Sequence, residues 1–261
     1  MKIVFVGASS FGYRCLEEIL TLPEIEVAGI ISNRQTFAIS YNKSGVTNVL
    51  YKDFSTLATE KNIPFYRMEE NMKEDGLSDF LAQCNPELCL VVGWYHMVPG
   101  SLLDQYRFAG LHASLLPDYS GGAPLVWAII NGETKTGITF FFFDRGVDSG
   151  DIIGQKETDI YPEDTIKTLY DRIEVLGIDL LKEALPKMSM GQLTYFKQDE
   201  TKRRVFPQRN PSDGLIDWSW DTQKIKNFIR AQTKPYPGAF TVIQGKKVII
   251  WDADIIEEEK I

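Results

Sequence analysis

The sequence predicts an α/β fold on an open, doubly wound and mostly parallel sheet. Three observations carry that prediction. Apolar runs of strand length alternate with amphipathic stretches from Lys2 to Gly93, four consecutive phenylalanines stand at 140–143, and a polar, proline-marked stretch near residue 206 sets off a short tail. Such alternation is what a parallel sheet covered by helices requires.

In order, Lys2 to Val6 reads as a buried strand and Tyr13 to Leu20 as the helix after it. Glu26 to Ser32 is a second strand, Asp53 to Lys61 a helix, Pro64 to Arg67 a short strand, Asp75 to Gln83 a helix and Leu88 to Gly93 another strand. Residues 33–49 lack periodicity and carry Asn33, Asn42, Gly45 and Asn48, so they read as a surface loop. From Gly110 the pattern breaks into His112 to Pro117 and the turn Ser120-Gly121-Gly122, followed by a helix at about Pro124 to Asn131. Gly137 to Asp144 holds the phenylalanines, whose rings need burial on both faces, which marks a central strand. Pro162 suits the first turn of a long helix from about Glu163 to Leu185. Phe206 to Pro211 is a linker, followed by a helix from Asp221 to about Gln232 and a hairpin, Phe240 to Ile243 and Lys246 to Trp251, around Gln244-Gly245. The expected division is therefore a main domain, 1–205, and a small module, 206–261, whose acidic end Glu257-Glu258-Glu259 is a solvated terminus.

With 261 residues, 44% of them hydrophobic, the chain can bury a sizeable core, and no apolar run approaches the roughly 18 residues of a membrane span. A formal charge of −8 argues against a bulk electrostatic grip on nucleic acid. Cys15, Cys84 and Cys89 lack metal spacing and read as buried small hydrophobes. Their odd number, with an N-terminus that enters a strand at once, points to a reducing cytoplasm. Only His96 and His112 are available for chemistry that needs histidine.

The informative segments are Gly110 to Pro124 and Asp144 to Asp151. Each lies at the exit of an apolar run, where open α/β sheets bind ligands. An aspartate of the second segment near His112 would orient the ring and favour its charged form. Gly7 to Gly12 follows the first strand but has Ser9 where a dinucleotide fingerprint has its second glycine, so it reads equally as a tight turn or a phosphate-contacting loop. No Gly-x-Ser-x-Gly elbow surrounds Ser114, which argues against a serine hydrolase.

These segments resemble the folate-dependent formyltransferase family, whose pattern is Asn-x-His-x-Ser-Leu-Leu-Pro-x-Tyr-x-Gly with an Asp about 36 residues beyond the His. His112, Ser114 to Pro117, Tyr119, Gly121 and Asp148 match it, and the similarity continues in Arg230-Ala231 and Pro235 to Phe240. The resemblance implies an enzyme with 10-formyltetrahydrofolate as formyl donor, an amine as acceptor and no metal. It implies that His112 stabilises the oxyanion and moves a proton, while Asp148 orients His112 and receives the amine proton. Trp94, Tyr95, His96, Met97 and Val98, with Asp144, Arg145, Gly146 and Val147, are then expected around the pterin. Gly110 stands where the family pattern has Asn. Loss of one oxyanion donor costs about 2.7–4 kcal/mol. The replacement would be His112, a backbone N–H near Gly110 or an ordered water, and reduced activity is the other outcome.

Family acceptors include methionyl-tRNA, glycinamide ribonucleotide and nucleotide-linked amino sugars. The acidic balance and short tail favour a nucleotide-linked amino-deoxy sugar for surface glycans, with no nucleic-acid partner. A methionyl-tRNA formyltransferase-like enzyme is the alternative, beside a formyl-folate hydrolase or a non-catalytic folate or nucleotide-sugar binding protein, given Gly110. On the sugar expectation Ser9, Ser10, Ser114, Tyr119, Gly121, Gly122 and Arg209 contact the acceptor, and the tail hairpin joins a homodimer.

Overall fold

The computed structural model describes residues 1–39 and 42–256, so the acidic Glu257-Glu258-Glu259 end lies outside the described residues. Along the chain run β1 (Lys2–Val6), α1 (Ser10–Ile19), β2 (Glu26–Ser32), β3 (Thr36–Ile39), β4 (Asn42–Thr47), α2 (Ser55–Glu60), β5 (Phe65–Arg67), α3 (Asp75–Cys84) and β6 (Leu88–Val91). Then come α4 (Gly100–Leu103), β7 (Phe108–His112), β8 (Ser120–Gly121), α5 (Pro124–Ile130), β9 (Lys135–Phe142), β10 (Ile152–Asp159), α6 (Ile166–Ser189), β11 (Val205–Phe206), α7 (Thr222–Gln232), β12 (Ala239–Ile243) and β13 (Lys246–Ile250).

Seven strands form one sheet in the order β10-β9-β7-β6-β1-β2-β5. From β1 the pairing runs parallel outward through β2 to β5 and through β6 to β7, which is the doubly wound arrangement. Only then does β9 join β7 antiparallel. Contiguous apolar runs such as Ile3 to Val6 are fully buried, as strands covered on both faces must be. The phenylalanine run also behaves as expected: β9 lies inside the sheet, and Phe140, Phe141 and Phe142 are buried.

Four differences from the sequence expectation have local causes. Helix α1 starts at Ser10 rather than Tyr13 because extended Ser9 is its N-cap, accepting the Gly12 amide at 3.1 Å. Residues expected to be a loop form the β3–β4 hairpin, with Phe37 opposite Val46. Strand β7 escaped notice because Gly110 interrupts a five-residue run, and β10 because its second half, Gln155 to Asp159, is polar or charged throughout.

The chain forms two compact units, Met1–His112 with Thr139–Gln155 and Leu176–Gln198, and Ala113–Ile138 with Lys156–Val175 and Asp199–Ile261. This division differs from the single expected cut at 205/206, since two earlier segments group with the tail. In the second unit α7 is capped by Asp221, which accepts the Lys224 amide at 2.8 Å, and β12 pairs β13 around Gln244-Gly245, both at positive φ as a tight hairpin turn requires. Among the described residues no helix is long and apolar enough to cross a membrane. All three cysteines are buried, and burial pushes the Cys89 thiol up to about 12.

Candidate active site

In the first unit, His112 ends β7 and Asp148 sits in the loop between β9 and β10. In the β7–β9 register His112 stands opposite Thr139, three residues before Phe142 ends β9. The His112 Nδ1 lies 3.6 Å from Asp148 Oδ2, with the two side chains 11% and 23% exposed. That separation is ion-pair range, just beyond a hydrogen bond, a slack common in catalytic pairs before substrate arrives. Asp148 has φ 52°, the left-handed region, which a non-glycine residue occupies at a cost of about 1–2 kcal/mol. Its loop is closed by Asp144, whose Oδ1 accepts the Gly146 amide at 2.9 Å and the Ser149 hydroxyl at 2.6 Å. The neighbouring Arg145 is held by both oxygens of Asp104.

Gly110 is explained by packing. A β-carbon there would lie 2.7 Å from the Phe143 ring and 2.6 Å from the Val91 carbonyl oxygen. The ring stands where a side chain at position 110 would begin, so the amide expected at this position has no room.

The segment after β6 carries Trp94 to Val98. Trp94 donates to the Met72 sulfur at 3.2 Å, and its ring packs at 5.3 Å from His96, which also meets Phe37 at 5.1 Å. Asn33 Nδ2 reaches His96 Nε2 at 3.3 Å. Burial holds the His96 imidazole below its ordinary value, which favours the neutral ring. Tyr95 and Met97 are largely exposed, and Val98 packs on the core. Asn71, Met72, Lys73, His96, Met97 and Pro99 line a cavity of about 480 Å³. Its lower loop is tied by Glu74, which accepts the Glu69 and Asn71 amides at 3.0 and 3.1 Å, the Glu70 amide, and the Tyr66 hydroxyl at 2.8 Å. Although partial burial opposes ionisation, these donors hold the Glu74 carboxyl below its usual range. Its wall mixes the apolar Met72, Met97 and Pro99 with the polar Asn71, Lys73 and His96. Among the described residues, buried Asn33 Oδ1, on the side chain that holds His96, has no hydrogen-bond partner.

The other sequence candidates have different placements. Ser9 is buried as a helix cap, so its hydroxyl is committed to α1, whereas Ser10 is exposed in the first turn. In the second unit, buried Ser114 donates to the Asp118 carbonyl at 2.7 Å. Tyr119 donates to Glu133 at 2.6 Å and stacks on Phe206 at 4.4 Å. Gly121 and Gly122 carry the backbone that pairs β8 with β11. Arg209 donates to the Asp213 carbonyl and Gln232 at 2.7 Å and lies over the Trp127 ring. Sequence reasoning overlooked Asn33, Glu74, Phe143 and Gln198. A run of acids such as Glu69, Glu70 and Glu74 gives no sign of which one folds inward.

Residues 1–185 match the formyl transferase family model and residues 209–261 the family's C-terminal domain. A methionyl-tRNA formyltransferase from Geotalea uraniireducens is 35% identical over 253 residues, covering 96% of this chain and 78% of the relative. Among solved structures, a sugar N-formyltransferase from a Shewanella species aligns with TM-score 0.75 at 18% identity, over 98% of this chain and 99% of its own. The methionyl-tRNA formyltransferase from Clostridium thermocellum aligns with TM-score 0.64 at 20% identity, over 99% and 95%. At those identities the structures establish the shared fold.

The expectation of a nucleotide-sugar acceptor without a nucleic-acid partner is corrected by the sequence relatives. Those from several bacteria, at 32–35% identity across nearly the whole chain, carry the name methionyl-tRNA formyltransferase. The physical error lay in averaging charge. Residues 206–261 hold eight Lys and Arg against eight Asp and Glu, so the tail is formally neutral and the whole −8 comes from the rest of the chain. Length misled as well, because the tail matches the family's C-terminal domain. With its family model matched over most of its length, the chain belongs to the formyl transferase family and is an N-formyltransferase whose formyl donor is 10-formyltetrahydrofolate.

Proposed function

We propose that this chain formylates the amino group of methionyl-tRNA and that His112 and Asp148 are its reacting pair. The observation that carries the pair is the approach of His112 Nδ1 to Asp148 Oδ2 from two different segments of one sheet edge. The acceptor reading is supported by the relatives' shared name.

The folate supplies the formyl group at the amide-like carbon under attack. Asp148 holds the imidazole through Nδ1 and takes the proton released by the attacking amine at its carboxylate. His112 presents the opposite edge of its ring to the developing negative oxygen and passes a proton toward the leaving nitrogen. Because Phe143 fills the space at position 110, no side chain from that position assists. The oxyanion therefore depends on His112 and backbone N–H groups. The cavity beside His96 would receive the pterin, with His96, Met97 and Met72 in its wall and the loop tied by Glu74 beside it.

The test is direct: incubate the protein with 10-formyltetrahydrofolate and charged or uncharged initiator tRNA, then measure formyl-methionine and deformylated folate. Product with charged tRNA alone, declining as salt rises, is expected. Folate turnover of equal rate without charged tRNA would overturn the acceptor assignment.

A further inference from the structure

We infer that Gln198 is a positioning residue for Asp148, a reading that rests on His112 and Asp148 being the reacting pair. Gln198 Nε2 donates to the carbonyl oxygens of Asp148 and Gly150, each at 2.7 Å. A primary amide nitrogen carries two hydrogens, so these bonds use its whole donor capacity. They hold the loop on both sides of Ser149, whose own hydroxyl donates to Asp144. Asp148 has left-handed backbone, and a β-carbon at Gly150 would lie 1.8 Å from the Phe142 carbonyl oxygen.

Gln198 is itself anchored. Two residues earlier, Phe196 exchanges both backbone hydrogen bonds with Ile152, at 2.8 and 3.0 Å. Tyr195 packs edge-on against Phe142, with the Arg107 guanidinium 3.9 Å from the Phe142 ring. The segment following α6 thus returns to the sheet edge and ends in an amide aimed at the Asp148 loop. The two bonds fix the peptide from which the Asp148 side chain projects toward His112.

Gln198→Leu and Gln198→Glu keep the side chain's size while removing the donors. Both should lower kcat by up to roughly 10²-fold, as a misplaced reacting group does, while the KM for 10-formyltetrahydrofolate stays within about twofold. The chain has two histidines, so the His112 imidazole nitrogen resonances can be resolved. They should move in both variants toward their positions in Asp148→Asn. Wild-type kcat with unmoved His112 resonances in Gln198→Glu would overturn the inference, as would a loss in Gln198→Leu that Gln198→Glu does not share. The two readings fail separately. If Asp148→Asn keeps full turnover, the reacting pair is wrong, whereas an inactive Asp148→Asn beside a fully active Gln198→Glu removes only the positioning role. If neither substrate is turned over by the wild type, the resonances decide alone.

Discussion

His112 and Tyr119 lie seven residues apart in one motif, yet their surroundings differ in kind. His112, in the first unit, faces Asp148 across 3.6 Å. Tyr119, in the second, donates to Glu133 at 2.6 Å, accepts from Asn131 at 3.1 Å, stacks on Phe206 and lies under the Arg204 guanidinium at 4.7 Å. Burial, then the Glu133 carboxylate, pushes the Tyr119 hydroxyl well above its ordinary value, so it remains a donor. A pair with slack can tighten on a substrate, whereas a saturated cluster can only preserve shape. On the proposed reading one motif therefore contains both reacting and supporting residues.

The sharpest way to break this comparison is to remove the working pair. His112→Asn and Asp148→Asn should each lower kcat by about 10²–10⁴-fold with an unchanged Tm. Near-normal single-turnover rates would dissolve the distinction. Tyr119→Ala should behave in the opposite sense, costing about 3–5 kcal/mol of stability through lost packing while the folded fraction keeps its kcat. Equilibrium urea unfolding alongside kinetics measures both. Gly110→Ala should destabilise by about 1–3 kcal/mol through overpacking against Phe143, and Phe143→Leu in the same chain should return part of that loss. The smallest effect concerns pH. The Glu74 carboxyl ionises more readily in the folded chain than its ordinary 4.5, so its contribution is present above that value and disappears as pH falls through the lower folded one. Glu74→Gln should flatten that part of the Tm profile and weaken folate binding at neutral pH, as read by melting and by ligand titration.

The strands Lys2–Val6 and Glu26–Ser32 were legible residue for residue, because each carries a buried, largely apolar stretch, Ile3 to Val6 and Gly29 to Ser32. The β3–β4 hairpin was not, since its sequence lacks the apolar alternation by which strands are recognised. His112 and Asp148 were legible as types at a family spacing, and the structure adds that they meet. The acceptor was misread because a net charge describes no particular surface: the tail, 206–261, is formally neutral within a total of −8.

What the sequence determined by itself is the fold class and the pattern of its most buried strands, which follow from composition and periodicity, local properties of the chain. The candidate pair His112 and Asp148 came from the family resemblance. Only the tertiary structure decided that Phe143 closes position 110, that Glu74 alone among its acidic neighbours ties the cavity loop, and that Gln198 reaches back 50 residues to the Asp148 carbonyl. Each depends on which atoms lie within about 3 Å once distant segments have packed, and a linear pattern does not contain that distance.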